Sequence, residues 1–144
     1  MSNSGFKVLI VEDETPAAEK LERYLHRYNE AIEVKGKVES VEEAVHWLEA
    51  HQSTIDLIFM DIQLKDGVSF EIFKEVKVDK PVIFITAYNE YALDAFKMNG
   101  IDYLLKPITF TDLSTSLQKA EALGAQLRWS EERTETISKT IDTA

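Results

Sequence analysis

The sequence predicts an open, doubly wound α/β domain: a five-stranded parallel sheet with helices on both faces. Apolar runs alternate with amphipathic stretches five times over, in strict strand-then-helix order. Three of the runs are continuous β-branched and aliphatic segments, which suits strands covered on both faces. At 144 residues the chain is one domain's worth of material, and this alternation builds right-handed crossovers between parallel strands.

The elements follow in order. Lys7–Val11 is the first strand candidate. Thr15 then caps a helix with Pro16 at its first position and Leu21, Tyr24, Leu25 and Tyr28 on one face. Glu33–Val38 is the second strand, after which Ser40 and Glu43 form a capping box leading into Ala44, Trp47 and Leu48. Leu57–Met60 is the third, and Gly67 and Ser69 open a shorter helix containing Phe70, Phe73 and Val76. Val82–Ile85 is the fourth, followed by a helix lined by Tyr91, Ala92, Ala95 and Phe96 and closed by Gly100. The short run Asp102–Leu105 completes the sheet, and a fifth helix runs from about Thr111 through Leu113, Leu117 and Ala120 to Leu127. Residues 1–127 therefore read as one domain. Residues 128–144 are rich in Thr, Ser and Glu, with Ile137 and Ile141 their main apolar members, and read as a linker or C-terminal extension.

Composition removes several function classes. A formal net charge of −10 works against non-specific binding to nucleic acid or anionic membrane, both of which need cations to displace counterions. With no cysteine, disulfides, thiolate zinc sites and cysteine nucleophiles are excluded. The opening Met-Ser-Asn-Ser-Gly lacks a signal peptide's basic and apolar regions, and no apolar run approaches the roughly 20 residues of a membrane span. The expected location is the cytoplasm. No Gly-x-x-x-x-Gly-Lys loop or Gly-x-Gly-x-x-Gly turn supports nucleotide binding.

In an open parallel sheet, function sits outside the carboxyl ends of the strands. Strand 1 ends into Glu12 and Asp13, strand 3 into Asp61, strand 4 into Thr86 and strand 5 into Lys106-Pro107. Carboxylates this close repel by about 4 kcal/mol per pair at 4 Å in an effective dielectric near 20, so a cation must relieve them. Ligation by oxygen alone favours a hard ion, Mg2+ above all. A carboxylate flanked by Mg2+ and a lysine, with a hydroxyl opposite, is equipped to accept a phosphoryl group as an aspartyl phosphate. Asp61 is the expected nucleophile, because it is the single acid ending the central strand, whereas Glu12 and Asp13 form a pair suited to holding metal. Acidic residues at strand ends are common in loops, and it is the joint placement that points to chemistry. His26, His46 and His51 are expected to be ordinary surface or rim residues, none sharing a face with a carboxylate at ligand spacing. Tyr88, Tyr91 and Phe96 form either a partner-binding patch or part of the core and its rim.

Val8-Leu-Ile-Val-Glu12-Asp13-Glu14, Phe59-Met-Asp61, the Gly67 turn, Phe84-Ile-Thr86-Ala87 and Tyr103-Leu-Leu-Lys106-Pro107 together resemble the receiver domain of two-component response regulators. That family has a flavodoxin-like (βα)5 fold, and the resemblance covers residues 6 to about 127. Ile85-Thr-Ala-Tyr88, Tyr91-Ala92, Ala95-Phe96 and Ile101-Asp-Tyr-Leu-Leu-Lys-Pro-Ile108 are similar to the N-terminal part of LytTR-type regulators, which usually carry a C-terminal DNA-binding domain.

The resemblance implies that Asp61 is the phosphoacceptor, modified by a sensor histidine kinase. It implies that Glu12, Asp13 and Asp61 hold Mg2+, with the backbone carbonyl of Gln63 as a further ligand. Lys106 would pair with the phosphoryl oxygens and precede a cis proline. Thr86 would be the switch hydroxyl, and Tyr103 the aromatic that turns inward behind it. Phosphorylation would then bias the face built from the fourth helix, fifth strand and fifth helix toward homodimerisation or control of an output domain. DNA would be reached only through such an output domain. Position 12 departs from many relatives in being Glu rather than Asp.

Two other readings compete. A Mg2+-dependent phosphatase of the haloacid-dehalogenase type also forms an aspartyl phosphate, but it wants a second acid two residues after the nucleophile, where this chain has Gln63. A phosphorylation-independent receiver-like interaction module tends to lose one or more of the acids or the lysine, and here the set is intact.

Overall fold

Val8–Val11, Leu57–Met60 and Val82–Ile85 are buried without a break, so these apolar runs form the middle of a sheet covered on both sides. The computed structural model describes residues 5–87 and 100–124. Within them lie β1 (Lys7–Val11), α1 (Thr15–Tyr28), β2 (Glu33–Val38), α2 (Val41–His51), β3 (Leu57–Asp61), α3 (Ile72–Glu75), β4 (Val82–Thr86) and β5 (Gly100–Leu105). A further helix covers residues 110–124. The five strands are parallel in the order β2-β1-β3-β4-β5, the doubly wound flavodoxin-like arrangement the sequence predicts.

Alternation along the strands divides the core into two layers. Val8, Ile10, Phe59, Ile83, Ile85 and Leu104 pack with Leu21 and Leu25 of α1 and with Leu113 and Leu117 of the 110–124 helix. Leu9, Val11, Ile58, Met60 and Phe84 face the opposite way, onto Ala44 and Leu48 of α2 and onto Ile72. β2 is an edge strand and alternates between exposed and half-buried positions until Val38. There Trp47 lies so close over Gly36 that a Cβ at that position would meet its indole nitrogen at 2.5 Å.

Several boundaries differ from expectation, each for a local reason. Glu14, not Thr15, is the N-cap of α1, so Thr15 and Pro16 are its first two residues. The capping box of α2 is split. Ser40 Oγ accepts from the Glu43 N–H at 3.1 Å, but the Glu43 carboxylate accepts from the Glu39 N–H at 2.8 Å rather than from Ser40. Gly67 does not open a helix; with φ +148° it turns a two-residue hairpin, Gln63–Leu64 against Gly67–Val68. The helix expected after it shrinks to a 3-10 turn at Ser69–Glu71 and one α-turn, with Val76 already past its end. Gly100 is the first residue of β5, and the helix it was expected to close lies outside the described residues. Tyr88, Tyr91, Ala92, Ala95 and Phe96 lie outside the described residues, as do Leu127 and residues 128–144.

Candidate functional site

Strand register assembles the site. Val11 pairs with Met60, so Glu12 and Asp61 emerge side by side from β1 and β3, at the point where the strand order reverses. Asp61 pairs in turn with Ile85, and Thr86 with Leu105, which sets the start of the Lys106 turn beside the end of β4. Backbone bonds hold these ends: the Glu12 N–H donates to the Val38 carbonyl at 2.9 Å and the Lys106 N–H to the Thr86 carbonyl at 2.8 Å. The Lys106–Pro107 peptide is cis.

Lys106 reaches back across the mouth of the sheet. Its Nζ lies 2.8 Å from Glu12 Oε1, 2.9 Å from Asp61 Oδ2 and 3.0 Å from Glu14 Oε1. Glu12 and Asp61 are each only 5% exposed, and carboxylates buried so deeply need a partner. Glu12, Asp13, Glu14 and Asp61 offer oxygens that all lie within 4.8 Å of one another, and three of these carboxylates, those of Glu12, Glu14 and Asp61, share one ammonium. Oxygen donors alone, with negative charge in excess of the lysine, fit a hard divalent cation such as Mg2+.

The charge imbalance appears in the acidities. Burial pushes the Glu12 carboxyl above its ordinary value, the charge on Asp61 adds to this, and the hydrogen bond from Lys106 opposes it. Burial also raises Asp13, helped by the Glu12 and Glu14 carboxylates beside it. For Lys106 burial works the other way, yet its bonds to Glu12, Asp61 and Glu14 prevail and hold the ammonium well above the usual lysine range.

The remaining expected residues gather around this centre. The Gln63 N–H donates to Asp61 Oδ1 at 3.2 Å, which brings the backbone of residue 63 against the nucleophile candidate. Thr86 is fully buried as the last residue of β4. Tyr103 is half-buried among the residues on the α2 side of the sheet. It pairs with Phe84, and by strand alternation it stands on the same face as Thr86 two residues along. An apolar cleft of about 310 Å3 opens beside the cluster, lined by Ala17, Leu21, Ile85 and Ile108 and reaching Glu12 and Lys106.

Two residues escaped the sequence reading. Glu14 is quoted there within a motif but assigned no role, although it is the third partner of Lys106. Asp66 caps α2 from across the chain, accepting from the Val41 and Glu42 N–H groups at 2.8 and 3.2 Å. Burial alone would raise its pKa, but those two bonds and one from its own N–H outweigh it and hold the carboxyl below its ordinary value. One expectation fails among the histidines. His46 does share a face with a carboxylate, Nδ1 lying 4.0 Å from Glu49 Oε1 one turn along α2, though both side chains are exposed. His26 meets the Ile32 carbonyl at 3.1 Å, and His51 rests against Trp47 with ring centres 5.1 Å apart.

Known proteins resemble this chain in sequence and in fold. The family model described as "Response regulator receiver domain" matches residues 8–118. The chain is 40% identical over 116 residues to the "Sensory transduction protein LytT" of Bacillus cereus, covering 78% of this chain and 46% of that protein. It is 33% identical over 140 residues to the "Transcriptional regulatory protein YpdB" of Escherichia coli K12, covering 95% of this chain and 56% of that one. The chain thus spans about half the length of the curated relatives it matches. Among solved structures, the response regulatory domain of mrkE from Klebsiella pneumoniae aligns with a TM-score of 0.71 at 30% identity, over 83% of this chain and 98% of that domain.

Proposed function

The chain belongs to the response regulator receiver domain family, and on that premise we propose that it is a phosphorylation-driven switch whose phosphoacceptor is Asp61. The observation that carries this reading is the contact of Lys106 Nζ with Asp61 Oδ2 at 2.9 Å inside a cluster of four carboxylates. A carboxylate oxygen of Asp61 attacks phosphorus in a phosphohistidine of a sensor kinase. The new O–P bond forms as the N–P bond breaks, and the imidazole leaves with the electron pair. Lys106 neutralises the oxygens of the transferring group. Glu12, Asp13, Asp61 and the backbone carbonyl of Gln63 would hold Mg2+, which would supply further positive charge there.

The product is an acyl phosphate that carries about one more negative charge than the carboxylate and new acceptor oxygens. The Thr86 hydroxyl satisfies one of them by moving, and Tyr103, on the same face, takes the space vacated. Moving such an equilibrium from 1:99 to 99:1 needs about 5.5 kcal/mol of differential interaction. The responding face contains β5 and the 110–124 helix, and it drives homodimerisation or control of an output domain. Residues 1–127 make up the receiver, and 128–144 lead toward that output domain. The names of the relatives favour a transcriptional output, with DNA contacted by the output domain alone. The protein works in the cytoplasm as a switch, and its own chemistry is limited to taking up and losing the phosphoryl group.

Intact mass after incubation with Mg2+ and acetyl phosphate tests the reading. One phosphoryl adduct that requires Mg2+ and is lost in Asp61→Asn supports it. No adduct on folded protein favours a phosphorylation-independent module, and continuous phosphate release over many turnovers favours a phosphatase.

A further inference from the structure

An ammonium has three N–H donors and no more. In Lys106 all three are taken, by Glu12 Oε1 at 2.8 Å, Asp61 Oδ2 at 2.9 Å and Glu14 Oε1 at 3.0 Å. Any phosphoryl oxygen that bonds to Lys106 must therefore displace one of them.

The three partners are not equally held. The side chains of Glu12 and Asp61 are 3% and 6% exposed, whereas that of Glu14 is 67% exposed. Freeing a buried carboxylate strands its charge away from water, while an exposed one is rehydrated at once. Glu12 and Asp61 are also tied by their second oxygens, Glu12 Oε2 to the Glu14 N–H at 3.1 Å and Asp61 Oδ1 to the Gln63 N–H at 3.2 Å. Glu14 is the N-cap of α1, yet its side chain makes no capping bond. It can leave Lys106 without unwinding the helix.

We propose that Glu14 is the exchangeable partner of Lys106, holding in the resting protein the donor that a phosphoryl oxygen takes on phosphorylation, and so slowing phosphoryl uptake. This rests on the reading of Asp61 as phosphoacceptor. Glu14 is a positioning residue: it acts through Lys106 and touches no reacting atom. The reaction is unchanged in kind. Asp61 forms its O–P bond as the donor's own O–P bond breaks and a carboxylate leaves.

The test compares wild type, Glu14→Gln, Glu14→Ala and Asp61→Asn by intact mass, with acetyl phosphate over a Mg2+ titration that reaches saturation. Glu14→Ala gains the adduct about two- to fivefold faster than wild type, the range an exposed ion pair supports. Glu14→Gln falls between them, because a neutral amide oxygen accepts more weakly than a carboxylate. The gain shrinks as salt rises, since salt screens an exposed pair, and a purely structural effect has no such dependence. The ammonium 15N resonance of Lys106 shifts in Glu14→Ala before any donor is added. An adduct that forms at the wild-type rate or slower in Glu14→Ala, while still requiring Asp61, overturns the proposal. A slower rate with a raised Mg2+ half-point would identify Glu14 as a metal ligand instead and overturns it too. If wild type takes up no adduct, the phosphoacceptor reading has failed and this proposal falls with it.

Discussion

Lys106 and Asp61 stand 45 positions apart in sequence and meet at 2.9 Å across the mouth of the sheet, with β4 between their strands. The contact passes over the end of β4, so Thr86 lies next to both partners' strands. One side chain thus links the ends of β1, β3 and β5 through Glu12, Asp61 and Lys106.

Removing that ammonium leaves Glu12 and Asp61 buried without their counter-charge. Breaking a buried pair by deleting one member costs about 3–5 kcal/mol. Lys106→Met therefore unfolds at a distinctly lower urea concentration in EDTA, and Mg2+ recovers part of the loss. Equal urea midpoints for variant and wild type in EDTA would show that the lysine does not neutralise these acids.

Glu12 gives metal-free protein an unusual pH profile. Its folded carboxyl titrates above the ordinary value of 4.5, chiefly through burial. The native state then keeps a proton that the unfolded chain has lost. Stability from this group is complete below pH 4.5 and is lost as pH rises through the raised folded value. Wild type in EDTA should thus lose stability relative to Glu12→Gln between pH 4.5 and neutrality, and Mg2+ should cancel the decline. Parallel urea midpoints across that range contradict the account.

Asp66 works in the opposite sense. Its folded carboxyl lies below its ordinary value of 3.8 because the N–H groups of Val41, Glu42 and Asp66 itself outweigh its burial. Its contribution is present above pH 3.8 and disappears as pH falls through the lowered folded value. Asp66→Ala should cost about 1 kcal/mol at neutral pH, the worth of a helix N-cap, and Asp66→Asn less. Chemical unfolding at pH 7 and pH 3 measures both, with the gap from Asp66→Ala narrowing at the lower pH.

Tyr28 donates to Glu121 at 2.9 Å and so joins α1 to the 110–124 helix. Burial, with Glu121 as acceptor and neighbouring charge, pushes its phenol up to about 12. Ultraviolet titration should show a late-ionising tyrosine near that pH which Tyr28→Phe or Glu121→Gln removes. Ionisation of every tyrosine near pH 10 would show that the bond does not persist in solution.

The parts of the site visible in the sequence were those governed by strand pattern. Continuous apolar runs located β1, β3 and β4, and their ends put Glu12, Asp61 and Thr86 at one edge with no knowledge of register. Lys106 was placed by the same logic. Side-chain reach was not visible: Glu14 is the N-cap of α1, and only a lysine arriving from residue 106 gives it a role. The Asp66 cap spans 24 and 25 positions and carries no local signature, unlike the Ser40 bond to the Glu43 N–H three residues on. The helix expected after Gly67 was misjudged because Phe70, Phe73 and Val76 keep a helical spacing, while Gly67 uses its positive φ to turn a hairpin.

The central claim is that Asp61, and no other of the clustered acids, takes the phosphoryl group. Borohydride reduces an aspartyl phosphate to homoserine, and a glutamyl phosphate to a chain one carbon longer, which peptide mass spectrometry locates residue by residue. After reaction with acetyl phosphate and Mg2+, the account predicts homoserine at position 61 and unmodified residues at 12, 13 and 14. Reduction product at Glu12, Asp13 or Glu14, with Asp61 intact, would contradict it.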